Sequence, residues 1–226
     1  HSTSSAASDV YKRQTYSSAI GFQTSAVGDY STAMGYNTTS SASYCTAMGY
    51  ATTASGSTST AMGVNTTASG DGSTSLGNQT IASANNSSAM GASTTASGEV
   101  STAMGYATTA NGSTSTSMGL STTANGEVSI AMGLGTTANG SVSVAMGRNT
   151  TASDYGSLVI GQYNSSGSTT TTSSTAFNTS NTAFVIGNGT LGNLSDAFKV
   201  MFNGDASVRL TLIHNSEPTR RYRISY

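Results

Sequence analysis

Residues that commonly carry enzyme chemistry are few in this sequence and widely spread. The two histidines, His1 and His214, lie near the two ends, so the long middle of the chain has no general base of the usual kind. Acidic residues stand singly, as Glu99 and Glu127 do; a carboxylate pair for glycoside hydrolysis is conceivable, but we favour solvated turn residues. The sequence therefore predicts no catalytic residues and indicates a protein that is not an enzyme.

Sulfur-containing residues offer a second kind of chemistry, namely metal binding or nucleophilic attack. The cysteine at position 45, Cys45, takes a place that serine holds in neighbouring segments, so we interpret it as a small packing residue rather than a nucleophile or ligand. It has no partner for an intrachain disulfide. Methionines recur at a fixed spacing that could suggest soft-metal binding, but regular spacing favours packing. The sequence thus predicts no metal and no cofactor.

The composition limits how the chain can be ordered. Serine and threonine together make up 80 of the 226 residues, and glycine adds 26. Apolar residues reach 35%, which is low for an enzyme-sized core, and no apolar run approaches the roughly 20 residues of a membrane-spanning helix. The formal net charge of −1 is too small to keep the chain open by repulsion. The chain is therefore ordered by regularity, or it is not ordered.

A period of 14 residues runs through most of the chain. Glycine returns at every fourteenth residue from Gly21 to Gly161, and ten consecutive units from Ser17 to Gly156 share the form S-T-A-M-G-x-x-T-T-A-(S/N)-G-x-x. When each unit is numbered from 1 to 14, glycine holds position 5 and threonine holds position 8 in all ten units. A strict position at a fixed period indicates that successive units meet the same environment, as stacked coils do.

The short unit and its alternation favour strands over helices. Fourteen residues are too few for a helix pair, and the threonine-rich segments are typical of β-strands. Glycines at positions 5 and 12, such as Gly49 and Gly56, predict the two corners of each coil. Two short strands and two turns per unit describe an all-β fold, a parallel β-solenoid or β-roll. Ten coils at roughly 4.8 Å spacing give a rod on the order of 48 Å long.

Alternation divides the first strand of each unit into two faces. Positions 1, 3 and 5 carry mainly Ser, Ala and Gly, whereas positions 2 and 4 carry mainly Thr and Met. In the second strand Thr52 and Ala54 share a face, and Thr53 points the other way. A single thin roll covers only one face, so the simplest remedy is association of several chains. The sequence leaves open which of the two faces lines the roll.

The repeated motifs resemble a known family. Ser31–Gly35 (S-T-A-M-G) and Ser143–Gly147 (S-V-A-M-G) are similar to the S-V-A-I-G signature of YadA-type head repeats, which belong to trimeric autotransporter adhesins and related bacterial surface or phage fibre proteins. Thr52–Gly56 and Thr122–Gly126 resemble the second half of the same repeat. The resemblance covers residues 17–167 and implies a left-handed parallel β-roll with three chains packed into one head. Methionine replaces the usual Ile or Val at position 4, which makes that column more adaptable.

Positions 4 and 5 are the expected structural ladder of this head. Position 4 is occupied by Met34, Met48, Met62, Leu76, Met90, Met104, Met118, Met132 and Met146, and position 5 by Gly35, Gly49, Gly63, Gly77, Gly91, Gly105, Gly119, Gly133 and Gly147. The resemblance implies a structural and adhesive head of a bacterial cell-surface trimeric adhesin, extracellular and held at the outer membrane by parts outside this sequence. Its implied partners are further copies of the chain, as a homotrimer, and a host matrix or cell-surface ligand. A phage tail fibre or spike module on a virion is the first alternative.

An ice-binding β-solenoid is the second alternative, because regular threonine arrays on a flat solenoid can present such a surface. That surface usually needs the pattern Thr-x-Thr, which puts two hydroxyls on one face. Thr66 and Thr67 are adjacent and should point in opposite directions, so this spacing disfavours ice binding.

Variable positions of the repeat carry the residues that we predict as a possible contact surface. They are Tyr36, Tyr50 and Tyr106 at position 6, with Tyr30 and Tyr44 at position 14. Tyrosine suits contact surfaces because it offers area and a hydroxyl at low entropic cost. The alternative, which the sequence leaves equally open, is that these tyrosines shield the turns between coils.

Four regions follow from these patterns. Residues 17–167 are the β-roll, and the aromatic-rich residues 168–208 predict a cap or neck that closes it. Residues 1–16 and 209–226 fit no column of the repeat and resemble translated sequencing-adapter read-through, so we interpret them as non-native. Most basic residues lie in or beside these ends. We therefore expect no nucleic-acid partner, and no direct insertion of this part of the protein into a membrane.

Overall fold

The protein is described by a computed structural model that covers residues 11–12, 15–165 and 173–209. Throughout these residues the chain forms only β-strands and turns, which confirms the predicted all-β class. Within the same ranges no helix is long and apolar enough to cross a membrane.

The strands are short and recur regularly along the chain. In chain order they are β1 (Tyr11–Lys12), β2 (Ser18–Phe22), β3 (Ser25–Ala26), β4 (Thr32–Tyr36), β5 (Thr39–Ser40), β6 (Thr46–Tyr50), β7 (Thr53–Ala54), β8 (Thr60–Val64), β9 (Thr67–Ala68), β10 (Thr74–Asn78), β11 (Ile81–Ala82), β12 (Ser88–Ala92), β13 (Thr95–Ala96), β14 (Thr102–Tyr106), β15 (Thr109–Ala110), β16 (Thr116–Leu120), β17 (Thr123–Ala124), β18 (Ile130–Leu134), β19 (Thr137–Ala138), β20 (Val144–Arg148), β21 (Thr151–Ala152), β22 (Leu158–Gln162), β23 (Thr182–Asn188), β24 (Asp196–Met201) and β25 (Ala206–Val208).

Two sheets are built from these strands. The long sheet contains the even-numbered strands from β2 to β22, followed by β23, β24 and β25, and the short sheet contains the odd-numbered strands from β1 to β21. Each strand of the repeat pairs in parallel with the equivalent strand of the next coil, as Thr32 does with Thr46. This register confirms the prediction of a parallel β-solenoid of 14-residue coils.

Small side chains fill the space between the two sheets. In one coil Ser59, Ala61, Thr66 and Ala68, at positions 1, 3, 8 and 10, are all buried, whereas Thr67 at position 9 lies outside. The same pattern recurs from coil to coil. The structure therefore answers the question that the sequence left open, because the small residues line the roll and the methionines lie on its outer face.

The corners of the coil differ in part from the prediction. Gly56, at position 12, begins a turn as predicted, whereas Gly49, at position 5, lies inside β6, so the prediction of a corner there is wrong. The turns instead use positive φ at positions 7 and 14, where Ala51 has a φ of 51° and Thr58 a φ of 57°. These positions vary in residue type, so the sequence pattern did not mark them.

Glycine is required at position 5 because the next coil approaches closely. Gly49 has a φ of 126°, and a Cβ added to it would overlap the carbonyl oxygen of Gly63. The same overlap recurs at each position-5 glycine from Gly21 to Gly161. This column therefore permits the long strands to stack, rather than turning the chain.

Many hydroxyl groups inside the roll have no hydrogen-bond partner. In the described part of the chain they belong to Thr24, Thr38, Thr52, Thr66, Thr94, Thr108, Thr136, Thr150, Ser59, Ser73, Ser101, Ser115 and Ser129. Two coils differ because serine replaces alanine at position 3. Ser75 Oγ lies 2.7 Å from Thr80 Oγ1, and Ser117 Oγ lies 2.7 Å from Thr122 Oγ1. One added hydroxyl is thus enough to pair the inner threonine.

Residues 173–209 extend the long sheet beyond the last coil. β23 pairs in parallel with β22, and β24 and β25 then add in antiparallel fashion. Val159 and Val185 replace the alanines of the inner column and are fully buried. Phe184 and Phe198 meet edge to face, with their ring centroids 6.1 Å apart. The end cap at 168–208 stays a prediction, and larger inner side chains with aromatic packing are what such a cap requires.

The end segments that the sequence set apart lie largely outside the described residues, as do His1 and His214. Within residues 1–16, however, β1 pairs Tyr11 with Ser25 and Lys12 with Ala26, which continues the 14-residue register by one coil. The interpretation of residues 1–16 and 209–226 as non-native stays a prediction.

Candidate contact surface on the outside of the roll

Position 4 forms a continuous apolar column on the outer face of the long sheet. Met34 pairs with Met48, and the same register holds as far as Met132 and Met146. The side chains are partly exposed, with Met34 at 37% and Met146 at 39%. The roll itself does not cover this column, so its apolar surface is available to another molecule.

Aromatic side chains form two stacked columns in the first coils. The first aromatic column comprises Tyr16, Tyr30 and Tyr44 at position 14, and its successive ring centroids lie 5.3 and 5.1 Å apart. The second aromatic column comprises Phe22, Tyr36 and Tyr50 at position 6, with centroids 5.2 and 5.1 Å apart. The two columns lie at opposite ends of the long strands, because position 14 precedes each strand and position 6 ends it.

Stacking changes what the tyrosines can offer to a ligand. Tyr30 and Tyr44 are parallel to within 1°, and Tyr36 and Tyr50 to within 4°, so ring faces inside a column contact each other. The side chains nevertheless remain exposed, with Tyr50 at 51%. The columns therefore present rows of ring edges and phenolic hydroxyls to solvent.

Tyr106 differs from the other predicted contact residues. It has the same position 6, but its neighbours in the register are Ala92 and Leu120, so no aromatic ring stacks on it. It is 58% exposed. The structure thus brings Tyr36 and Tyr50 together and leaves Tyr106 apart. It also adds Tyr16, which the sequence interpretation had placed in the non-native segment, although its distance of 14 residues from Tyr30 was a usable signal.

A polar column continues the outer surface in later coils. The side chain of Ser97 donates to Asn111, Asn111 Nδ2 donates to Asn125 Oδ1 at 2.7 Å, and Asn125 Nδ2 donates to Asn139 Oδ1 at 2.8 Å. Each amide therefore bridges two coils. This asparagine column was not predicted, although the residues recur at position 11.

Comparison with known families accounts for these repeated columns. The two-copy YadA head domain repeat matches residues 14–38, 40–66, 54–80, 68–94, 82–108, 96–122, 110–136, 124–149 and 138–164. The chain belongs to the YadA head repeat family. Among curated proteins, no significant match is found. The family confirms the resemblance that the motifs carried, and it is a structural adhesin family rather than an enzyme family.

Carboxylates of this YadA-type head take part in coil-to-coil hydrogen bonds. Asp71 Oδ1 accepts from the backbone N–H of Ser57 at 2.8 Å, and Asp29 Oδ1 accepts from that of Thr15 at 3.2 Å. Where the structure describes the chain, no group of three or more His, Cys, Asp and Glu side chains could hold a metal ion. These acids therefore support turns between coils.

Cys45 lies inside the roll of the YadA-type head. It is fully buried, and its Sγ donates to the carbonyl oxygen of Ala42 at 2.8 Å. Its Sγ also lies 3.0 Å from Ser40 Oγ. These contacts agree with its interpretation as a small packing residue.

The threonines of the head are divided between inside and outside. Thr66 is fully buried, whereas Thr67 lies on the outer face of the short sheet. Each such coil therefore presents one threonine, and not two, on that face. This is the arrangement that the adjacent spacing predicted, and it lacks the paired hydroxyls of an ice-binding surface.

Proposed function

We propose that this chain is the adhesive head of a trimeric fibre on the bacterial cell surface. The observation that carries the proposal is the outer face of the long sheet, where an uncovered apolar column runs between two exposed aromatic columns. The apolar column serves assembly, and the aromatic columns serve contact with a host matrix or cell-surface ligand. Membership of the YadA head repeat family supports both roles.

The assembly part of the proposal rests on the methionine column. The interior is already filled by alanine, serine and threonine, so the methionines cannot be covered from within. Apolar surface gains free energy when it leaves water, at roughly 25 cal/mol per Å². A column that runs the length of the roll is best covered by equivalent columns of further copies, and the family supports three.

Sedimentation of the purified chain tests this assembly. The expected result is a trimer for the natural sequence, and dissociation when Met90 and Met118 are both replaced by Glu. A matched control replaces Thr95 and Thr123 by Glu, because these residues lie on the outer face of the short sheet. The control should remain trimeric. A stable, non-aggregating monomer of the natural sequence at micromolar concentration would contradict the assembly.

The contact part of the proposal rests on the exposed tyrosines. A single coil offers little surface, but several coils on each of three chains multiply weak contacts by avidity. The triple variant Tyr36→Ser, Tyr50→Ser and Tyr106→Ser should keep the β-roll and lose binding to host matrix or cells. The matched control is Leu120→Ser with Leu134→Ser, which changes position 6 in other coils. Unchanged binding by the tyrosine variant would exclude this surface as the contact site.

The proposed location is the outside of the cell, on a fibre held at the outer membrane. Family membership supports it, because YadA-type heads belong to cell-surface adhesins. Immunolabelling of intact cells that express the natural gene should stain the surface without permeabilisation. Staining of released virions instead would identify the phage fibre alternative.

A further inference from the structure

The two aromatic columns place five tyrosines in stacked contact near the N-terminal end of the roll. Two neighbouring pairs are almost parallel: Tyr30 with Tyr44, and Tyr36 with Tyr50, each with ring centroids 5.1 Å apart. Tyr16 stacks on Tyr30 at 5.3 Å with an interplanar angle of 18°. The backbone register of the coils holds these rings in place.

Access to the phenols is good in both columns. Tyr16 is 75% exposed and Tyr44 is 60% exposed, so a reagent in solution can reach ring edges and hydroxyls. Tyr36 is the most covered of the five and is still counted as exposed. The columns therefore combine short ring-to-ring distances with open access, whereas Tyr106 has the access and lacks the neighbour.

We propose that these columns are a site of oxidative tyrosine cross-linking, in which dityrosine bonds join one coil to the next. The oxidant is hydrogen peroxide acting through a heme peroxidase. Each of two stacked phenols gives up one electron and one proton, and the peroxide that takes them is reduced to two molecules of water. The two tyrosyl radicals then join through a carbon–carbon bond between ring carbons next to the oxygens. The hydrogen on each joined carbon moves to its oxygen, which restores both phenols.

Geometry favours bonds within the chain over bonds between molecules. Neighbouring rings are already in contact, so two radicals in one column meet without diffusion. Each bond would close the chain between residues that lie one coil apart, at the end of the roll where the first coils have neighbours on one side only. The expected consequence is a covalent staple that resists fraying of these coils.

The experiment treats the full chain with a heme peroxidase and hydrogen peroxide. Dityrosine fluorescence measures the yield, denaturing gels separate single chains from linked chains, and mass spectrometry of a thermolysin digest locates the bonds. We expect Tyr30–Tyr44 and Tyr36–Tyr50 bonds, with Tyr16–Tyr30 as a third product, in chains that migrate as monomers. The melting temperature of the first coils should rise after treatment.

A double variant and a matched control make the test decisive. Tyr30→Phe with Tyr36→Phe keeps the stacked rings and leaves no two tyrosines adjacent in a column, so the intrachain yield should fall at least about tenfold. Tyr106→Phe removes an equally exposed phenol and should leave the yield unchanged. An unchanged yield in the double variant would overturn the proposal. Bonds to Tyr106 as frequent as those within the columns, or bonds between chains only, would overturn it equally.

Discussion

The repeating coils and the segment that follows them cover their backbones in different ways. Inside the coils, alanine, serine and threonine leave so little room that glycine is needed wherever two long strands stack. In residues 173–209, the inner column widens to Val185, and Phe184 and Phe198 pack edge to face. Stability in the coils therefore depends on backbone register, whereas stability in the closing segment depends on side-chain volume.

The largest expected effect comes from disturbing the register of the coils. Gly105→Ala adds a Cβ that overlaps the carbonyl oxygen of Gly119, at a φ of 127° that alanine rarely adopts. Because the obstacle is backbone, neither strand can move aside without breaking the ladder. We expect the variant to lose at least about 3 kcal/mol of unfolding free energy, measured by thermal or denaturant unfolding.

A glycine of the closing segment provides the control for that comparison. Gly192 has a φ of 84°, but nothing lies within 4 Å of an added Cβ. Gly192→Ala should therefore cost only about 1 kcal/mol, from backbone conformation alone. Equal losses in the two variants would show that steric stacking is not what sets the coils apart.

A smaller effect is expected from removing volume in the closing segment. Phe198→Ala deletes the ring that packs on Phe184 and should cost about 2 kcal/mol, less than for a fully buried ring because Phe198 is half-buried. The loss should stay local. Hydrogen exchange should show faster exchange in β23 and β24 and unchanged protection in β12 and β14. Faster exchange throughout the coils would mean that the two regions unfold together.

The smallest effect concerns the hydroxyl pair inside the coils. Ser117→Ala removes the partner of Thr122 and should cost about 1 kcal/mol, because a buried hydroxyl is left unpaired. The reciprocal change, Ala103→Ser, should stabilise its coil by providing the same partner to Thr108, which has none. Melting temperatures of the two variants should shift in opposite directions. Shifts of the same sign would mean that packing, and not hydrogen bonding, decides the inner threonine.

Much of the fold could be predicted because its rule is local. A period of 14 residues, alternating small and larger side chains, and glycine at fixed positions together determine the parallel stack, and Thr52 with Ala54 on one face followed from alternation alone. The wrong corner at Gly49 has a physical reason. Glycine marks both turns and close approaches, and a sequence does not distinguish them until the neighbouring coil is in place.

The candidate surface was harder to predict because it depends on neighbours along the stack. Position 6 identified Tyr36, Tyr50 and Tyr106 equally, yet only the first two meet in a column. The inner and outer faces of the long strands could not be told apart, because alternation is symmetric and only closure of the roll selects a face. Thr58 at a φ of 57° was also invisible, since its residue type disfavours that conformation.

The invariant register has a consequence for inheritance. Every coil offers the same backbone groups to the coil before and after it, as the pairs Gly35 with Gly49 and Gly119 with Gly133 show. Unequal recombination between repeats at the DNA level that removes or adds one whole unit would keep the reading frame and recreate the same junction. The length of the head can thus change in a single genetic event while its cross-section is preserved.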